Sequence, residues 1–154
     1  MSIERAKAHL AACGLADRIL EFSVSSATVA LAVEAVGCVP EHIVKTLSFE
    51  KGESALLVLA AGTARIDNQK FKQRFGMKAK MLDASRVEAL IGHGVGGVCP
   101  FGVNPEIEIW LDESIRGLDP VYPAAGNAAS AVRLSVPELE KASRALGWVD
   151  VTKR

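Results

Sequence analysis

The residues best suited to chemistry in this 154-residue chain lie in one stretch, Gly92-His-Gly-Val-Gly-Gly-Val-Cys-Pro-Phe-Gly102. Glycine adopts φ > 0 without a steric penalty and lets a ligand come close to the backbone. Successive free N–H groups in such a loop form a concave anion site. Hydrolysis of an ester needs its developing oxyanion held, and backbone N–H groups do this well. The same composition also describes a plain turn between a helix and a strand. Val95, Val98, Cys99 and Phe101 are apolar, so the stretch is expected to pack rather than to link. No Lys-Ser/Thr follows in P-loop spacing, and no G-x-G-x-x-G opens a helix, so neither nucleotide fingerprint is supported.

A second feature is Lys45. Ile43 to Phe49 reads as a strand, and side chains alternate faces along a strand. Ile43, Lys45, Leu47 and Phe49 then share one face, with Val44, Thr46 and Ser48 on the other. A lysine on the more apolar face either snorkels past its neighbours to water or sets a fixed positive charge at the rim of a pocket.

Conventional catalytic sets are scarce. His9, His42 and His93 show no H-x-x-x-H spacing, so no metal is expected. There is no G-x-S-x-G elbow. Cys99 with His93 as base is a conceivable thiol nucleophile, but a free cysteine more often behaves as a small packed residue. Asp112 and Glu113 read as a helix cap and a dipole partner.

Composition bounds the rest. The length suggests one domain spanning 1–154, and a 49% hydrophobic fraction supplies a core. Eighteen Lys+Arg balance eighteen Asp+Glu, so a nucleic-acid partner would be touched only over a small area. Cys13, Cys38 and Cys99 are odd in number without C-x-x-C spacing, which indicates neither a disulfide framework nor a zinc site. With no signal-peptide core and no membrane-length apolar run, a soluble, reducing, cytoplasmic setting is expected.

These residues must be positioned by a mixed set of elements. Ser2 is expected to cap a helix to about Cys13, with Ile3, Ala6, Leu10 and Cys13 on one stripe. Ser25 or Ser26 would cap a second helix from Ala27 to Val36. It is apolar nearly all round, as for a helix pressed between other elements. Strands are expected at 19–22, 43–49, 56–61, 78–82, 107–111 and 131–134. Asp67 or Asn68 would cap a helix to Phe75, and Asp83 one over 84–91. Ser135-Val-Pro-Glu138 forms a capping box for a last helix to about Leu146. The fold class expected is mixed α+β, a mixed sheet flanked by helices.

Four blocks in order carry a resemblance. Ile43-Val-Lys-Thr-Leu-Ser-Phe49, Gly96-Gly-Val-Cys-Pro-Phe-Gly102, Leu111-Asp-Glu-Ser114 and Ala124-Ala-Gly-Asn127 are similar to the YbaK-like aminoacyl-tRNA deacylases. These are free-standing relatives of the prolyl-tRNA synthetase editing insertion domain. The similarity runs from about Phe22 to Leu146.

The resemblance implies a partly barrel-like sheet surrounded by helices. It implies metal-independent, cofactor-free hydrolysis of an amino acid esterified to the wrong tRNA, with tRNA for proline among the candidates. Lys45 matches the lysine that holds the 3′-terminal phosphate or positions the substrate. Gly96 matches the glycine whose N–H orients the acyl carbonyl or the water, and Pro100 closes that motif. Thr46, Gly97 and Val98 are implied substrate neighbours, and Gly126 and Asn127 line the opposite wall. The implied partner is the acceptor end of aminoacyl-tRNA, with a synthetase as a second candidate and no membrane. The loop Ala124–Ser130 lacks the histidine or charged residue of some subgroups, which leaves the amino acid open. A non-catalytic module that binds aminoacyl-tRNA or a nucleotide and a small thiol or ester hydrolase are the competing readings. A synthetase pocket discriminates one methylene by only about 1–3 kcal/mol, which is why a second hydrolytic site is useful.

Overall fold

The computed structural model describes residues 2–153, so the cap expected from the Ser2 side chain falls outside the described residues. The elements run α1 (Ser2–Ala12), β1 (Ile19–Glu21), α2 (Val29–Val36), β2 (Ile43–Lys51), β3 (Ser54–Ala61), β4 (Arg65–Ile66), α3 (Asn68–Phe75), α4 (Ala84–Ile91), β5 (Glu108–Asp112), β6 (Tyr122–Pro123), β7 (Ser130–Val132), α5 (Val136–Ser143), β8 (Gly147–Val149) and β9 (Thr152–Lys153).

Local sequence explains most of the helix ends. Asp67 accepts from the N–H groups of Gln69 and Lys70, and Asp83 from that of Ser85. Both capping-box bonds join Ser135 and Glu138. Gly37, Gly76 and Gly92 close α2, α3 and α4 in the left-handed region that glycine reaches freely.

The fold is mixed α+β around a curled half-barrel sheet. The five-stranded sheet has the order β6-β2-β3-β5-β8. The β2–β3 hairpin is antiparallel and the other pairings are parallel. Two antiparallel ribbons, β1–β7 and β4–β9, flank it. A bridge between Val121 and Leu134 turns the sheet towards β7.

Alternation along β2 and β3 divides the core. Val44, Leu57 and Leu59 pack with α1 (Ala6, Leu10), α4 (Val87, Ile91) and α5 (Leu139, Ala142). Phe49, Leu56 and Val58 pack with Phe71 of α3 and with Val149 and Val151. The rings of Phe49 and Phe71 lie 4.7 Å apart. Each such fully buried side chain contributes about 1.5–3 kcal/mol.

Asp112 sews the C-terminal segment to this frame. Its buried carboxylate accepts from the N–H of Ser114 (2.9 Å), the N–H of Val151 (2.9 Å) and the hydroxyl of Thr152 (2.7 Å). It caps the short 3-10 turn Glu113–Ile115, as expected for a residue opening a helical turn.

Several expectations need correction. Thr28, not Ser25 or Ser26, caps α2. Only Ala32 of that helix is buried, and its Val29 and Ala32 border a cavity instead of a filled core. Cys13 is exposed, beyond the last turn of α1. The stretch 78–82 makes one bridge, Phe49 with Met81, rather than a strand. The last helix stops at Ser143, with Arg144 at φ 56. The residues after it form β8 and β9, two strands that neither periodicity nor turn chemistry had suggested.

Candidate active site

A cavity of about 440 Å³ opens at one edge of β2, within the size range of small-molecule sites. The edge is open because the sheet leaves a gap there. β6 covers Ile43 and Val44. The 80–82 segment covers the other end, with Glu50 donating to the Lys80 carbonyl (2.8 Å) and Leu82 to that of Ser48 (3.0 Å). Among the described residues no strand pairs with Lys45, Thr46 or Leu47 on that side. Ser48 and Glu50 turn their backbone groups outward, and ladder parity makes Thr46 do the same.

Four segments close around this gap. The start of α2 contributes Thr28, Val29 and Ala32, and the α4 region contributes Leu82 and Val87. The glycine stretch contributes Val95, Gly96 and Val98, and the β6–β7 region contributes Ala124, Ser130 and Ala131. The walls are apolar and mostly small. Val95 and Met81 stand at the mouth, 69% and 53% exposed.

The glycine loop is clamped by α1. The Arg5 guanidinium bonds the Asn104 side-chain oxygen (2.9 Å) and the Gly92 carbonyl (3.4 Å). The Gly102 N–H donates to His9 Nδ1 (3.0 Å), while His9 Nε2 donates to the Ala142 carbonyl (2.6 Å). Between these clamps the loop turns at Gly96, φ 90. The Gly97 N–H bonds the Gly94 carbonyl (3.1 Å). The N–H groups of Gly96 and Val98 have no hydrogen-bond partner among the described residues.

Gly97 sits where two backbones touch. A Cβ built there would fall 2.6 Å from Asn127 Cα and 2.7 Å from the Gly126 carbonyl carbon. The 124–130 loop is held from within: Asn127 Oδ1 accepts from the Ala129 N–H (2.9 Å), and Ser130 Oγ from the Ala125 N–H (3.2 Å). Ser26 joins it through its N–H to the Ala128 carbonyl (2.6 Å) and its hydroxyl to the Ser130 carbonyl (3.3 Å).

Of the residues singled out in the sequence, Lys45, Thr46, Gly96 and Val98 line the cavity. Gly97, Pro100, Gly126 and Asn127 are set back from it, Gly97 seated on the Gly126–Asn127 backbone. Lys45 is half-buried and its ammonium donates to the Ala64 carbonyl. Burial first, then the nearby Arg65 charge, lowers its pKa from the ordinary lysine value.

Thr46 carries the more unusual group. Its Oγ1 is buried and has no hydrogen-bond partner among the described residues. A buried hydroxyl left unpaired costs about 1–3 kcal/mol, so replacing it by a methyl should relieve the free protein.

Cys99 and His93 do meet, with Sγ 3.5 Å from Nε2. Both are fully buried, and neither lines the cavity. His93 Nε2 donates to the Phe101 carbonyl at 2.5 Å, and desolvation lowers the pKa of its ring, which favours the neutral form. Burial pushes the Cys99 thiol up to about 12, which leaves little thiolate at neutral pH. Cys99→Ala is therefore expected to keep catalytic turnover within about tenfold, or 1.4 kcal/mol. A dead variant with an unchanged thermal melt would reverse that assignment.

The wall residues Ser26, Val29, Val87 and Ala131 carried no signal of a site in the sequence. They are ordinary small or apolar residues, brought to the gap only by topology. Among the described residues no group of three or more His, Cys, Asp or Glu is placed to hold a metal. Among the described residues no helix is long and apolar enough to cross a membrane.

The glycine loop, its backing loop and the open strand edge enclose one cavity in a half-barrel fold, and the chain belongs to the aminoacyl-tRNA editing domain family, whose profile matches residues 24–142. The uncharacterized protein YwhH of Bacillus subtilis (strain 168) is 41% identical over 154 residues, covering 99% of this chain and 98% of its own. A solved structure of a candidate trans-editing enzyme for prolyl-tRNA synthetase superposes with a TM-score of 0.88 at 29% identity, covering 99% of this chain and 98% of that one. A scaffold protein used for computational epitope-backbone grafting gives 0.88 at 30% identity, with 99% and 97% covered. Family and fold together support a role in aminoacyl-tRNA editing.

Proposed function

We propose that this protein is a trans-editing deacylase that hydrolyses a small amino acid from a wrongly charged tRNA. The observation that supports this most is that three residues line one cavity: Lys45, Thr46 with its unpaired hydroxyl, and Gly96 with its unpartnered N–H. Water attacks the ester carbonyl carbon, and the bond from that carbon to the ribose oxygen breaks. The proton lost by the water ends on the ribose oxygen. Free amino acid and uncharged tRNA leave. The N–H groups of Gly96 and Val98 take the oxyanion, Thr46 Oγ1 holds the water or the substrate's polar group, and Lys45 holds the terminal phosphate. The small walls favour alanine, serine, threonine or cysteine over larger side chains.

The protein is incubated with tRNA charged with each of these four amino acids, and ester loss is followed. Turnover of a mischarged species, tRNA for proline among those tried, is the expected result. Tight binding without ester loss on any of them would instead mark a binding module.

Thr46→Val gives a sharper check of the site. Loss of one hydrogen bond worth about 0.5–1.5 kcal/mol should slow deacylation by roughly two- to tenfold. The melt should hold or rise, since the unpaired hydroxyl is gone. A lowered melt would make Thr46 a structural residue.

A further inference from the structure

Beyond the cavity, neighbouring cations gather without matching carboxylates. The Lys45 ammonium rests on the carbonyl of Ala64, whose chain neighbour is Arg65. Arg65 in β4 lies directly opposite Lys153 in β9. Residues directly opposite in an antiparallel pair have Cβ atoms about 4.5–5.5 Å apart, and like charges there are destabilising. Both side chains are exposed. Their ribbon neighbours Ile66 and Thr152 turn inward, Ile66 against the Phe49–Phe71 cluster and Thr152 onto Asp112.

Neither the Arg65 nor the Lys153 side chain makes a hydrogen bond or ion pair among the described residues. The carboxylates of that end are engaged: Asp67 caps α3, and Asp150 takes Lys70 at 3.2 Å. A two-residue ribbon that sets two unneutralised cations side by side, next to a third at a cavity, suits a polyanion rather than solvent alone.

We propose that Lys45, Arg65 and Lys153 form a cationic track over which the single-stranded acceptor end of tRNA leaves the cavity, each taking a backbone phosphate. This inference rests on the reading of the cavity as an aminoacyl-tRNA site. Lys45 holds the phosphate nearest the ester, and Arg65 and Lys153 guide the strand across the β4–β9 ribbon. Three contacts to single-stranded RNA predict a log–log salt slope of about −2, shallow enough for a protein of zero net charge.

The test is equilibrium binding of an end-labelled acceptor-stem minihelix ending in CCA, measured over a range of salt. The full chain is compared with R65A/K153A and with a control, R133A/K141A, which removes two exposed cations elsewhere. The track variant is expected to bind roughly tenfold more weakly at low salt, with a slope shallower by about 1.4. Its melt should be unchanged or raised, because the like-charge pair is gone. The control should bind as the parent does. Parent-like binding by the track variant overturns the track, as does an equal loss in the control or no binding by the parent chain. If binding and slope behave as expected while no mischarged tRNA is hydrolysed, the deacylase reading fails and the track stands.

Discussion

Gly97→Ala is expected to lower both the melting temperature and the deacylation rate. The added Cβ would stand 2.6–2.7 Å from backbone atoms of Gly126 and Asn127. No rotamer relieves a clash with backbone, so the two loops must separate. Overpacking of this kind costs about 1–3 kcal/mol, or roughly 2–12 °C in Tm for a chain of this size. The separation also moves Gly96 and Val98, and misplacement by an ångström costs about a hundredfold in rate. Gly94→Ala is the matched control. Its Cβ would meet only the flexible end of the exposed Glu88 side chain, at 3.3 Å, so it should stay within about 0.5 kcal/mol of the parent. Melts and deacylation rates of both variants decide the matter. Equal behaviour of the two would show that the contact between loops does not hold the site.

Lys45→Ala should separate activity from stability in the opposite way. A charge-assisted contact is worth about 1.5–3 kcal/mol, so kcat/KM should fall by roughly ten- to a hundredfold or more. The fold should not suffer. Burial and Arg65 both disfavour the charged form of Lys45, and the pKa is depressed. The charged ammonium is thus a cost to the folded state below that depressed pKa, and the cost fades as pH rises through it. The substitution removes the cost, and the melt at neutral pH should be unchanged or slightly raised. A phosphate bound beside the ammonium would push the pKa back up, so the loss should appear mainly as weaker substrate use. A variant that deacylates at the parent's rate would remove Lys45 from the site.

What could be read from the sequence follows the range of the interactions. Asp67, Asp83 and the Ser135–Glu138 box mark their helices because a cap is settled within four residues. The alternation that puts Lys45 with Leu47 and Phe49 holds for the same reason. The Gly92–Gly102 stretch identifies itself as more than a linker by its apolar residues. What the sequence hid depends on distant partners. α2 looks like a core helix, and that only Ala32 of it is buried depends on which distant segments lie against it. β8 and β9 are three and two residues long, and they exist because β5 and β4 lie beside them. Thr46 was noticed only as the neighbour of a lysine. That its hydroxyl is buried without a partner depends on where β6 stops.

Where β6 stops has a consequence of its own. An unfinished sheet edge ordinarily invites another chain to join it. Here the vacancy is three residues long, bounded by Pro123 on one side and the Lys80–Leu82 segment on the other. Proline offers no N–H to carry a ladder onward. The slot is too short to template a foreign strand, yet it leaves Thr46 backbone groups facing a guest. The fold thus has a dial for guest size that needs no change of wall side chain. Lengthening or shortening either bounding segment by a residue would resize the opening, so related chains can retune what they admit by shifting where the two segments end.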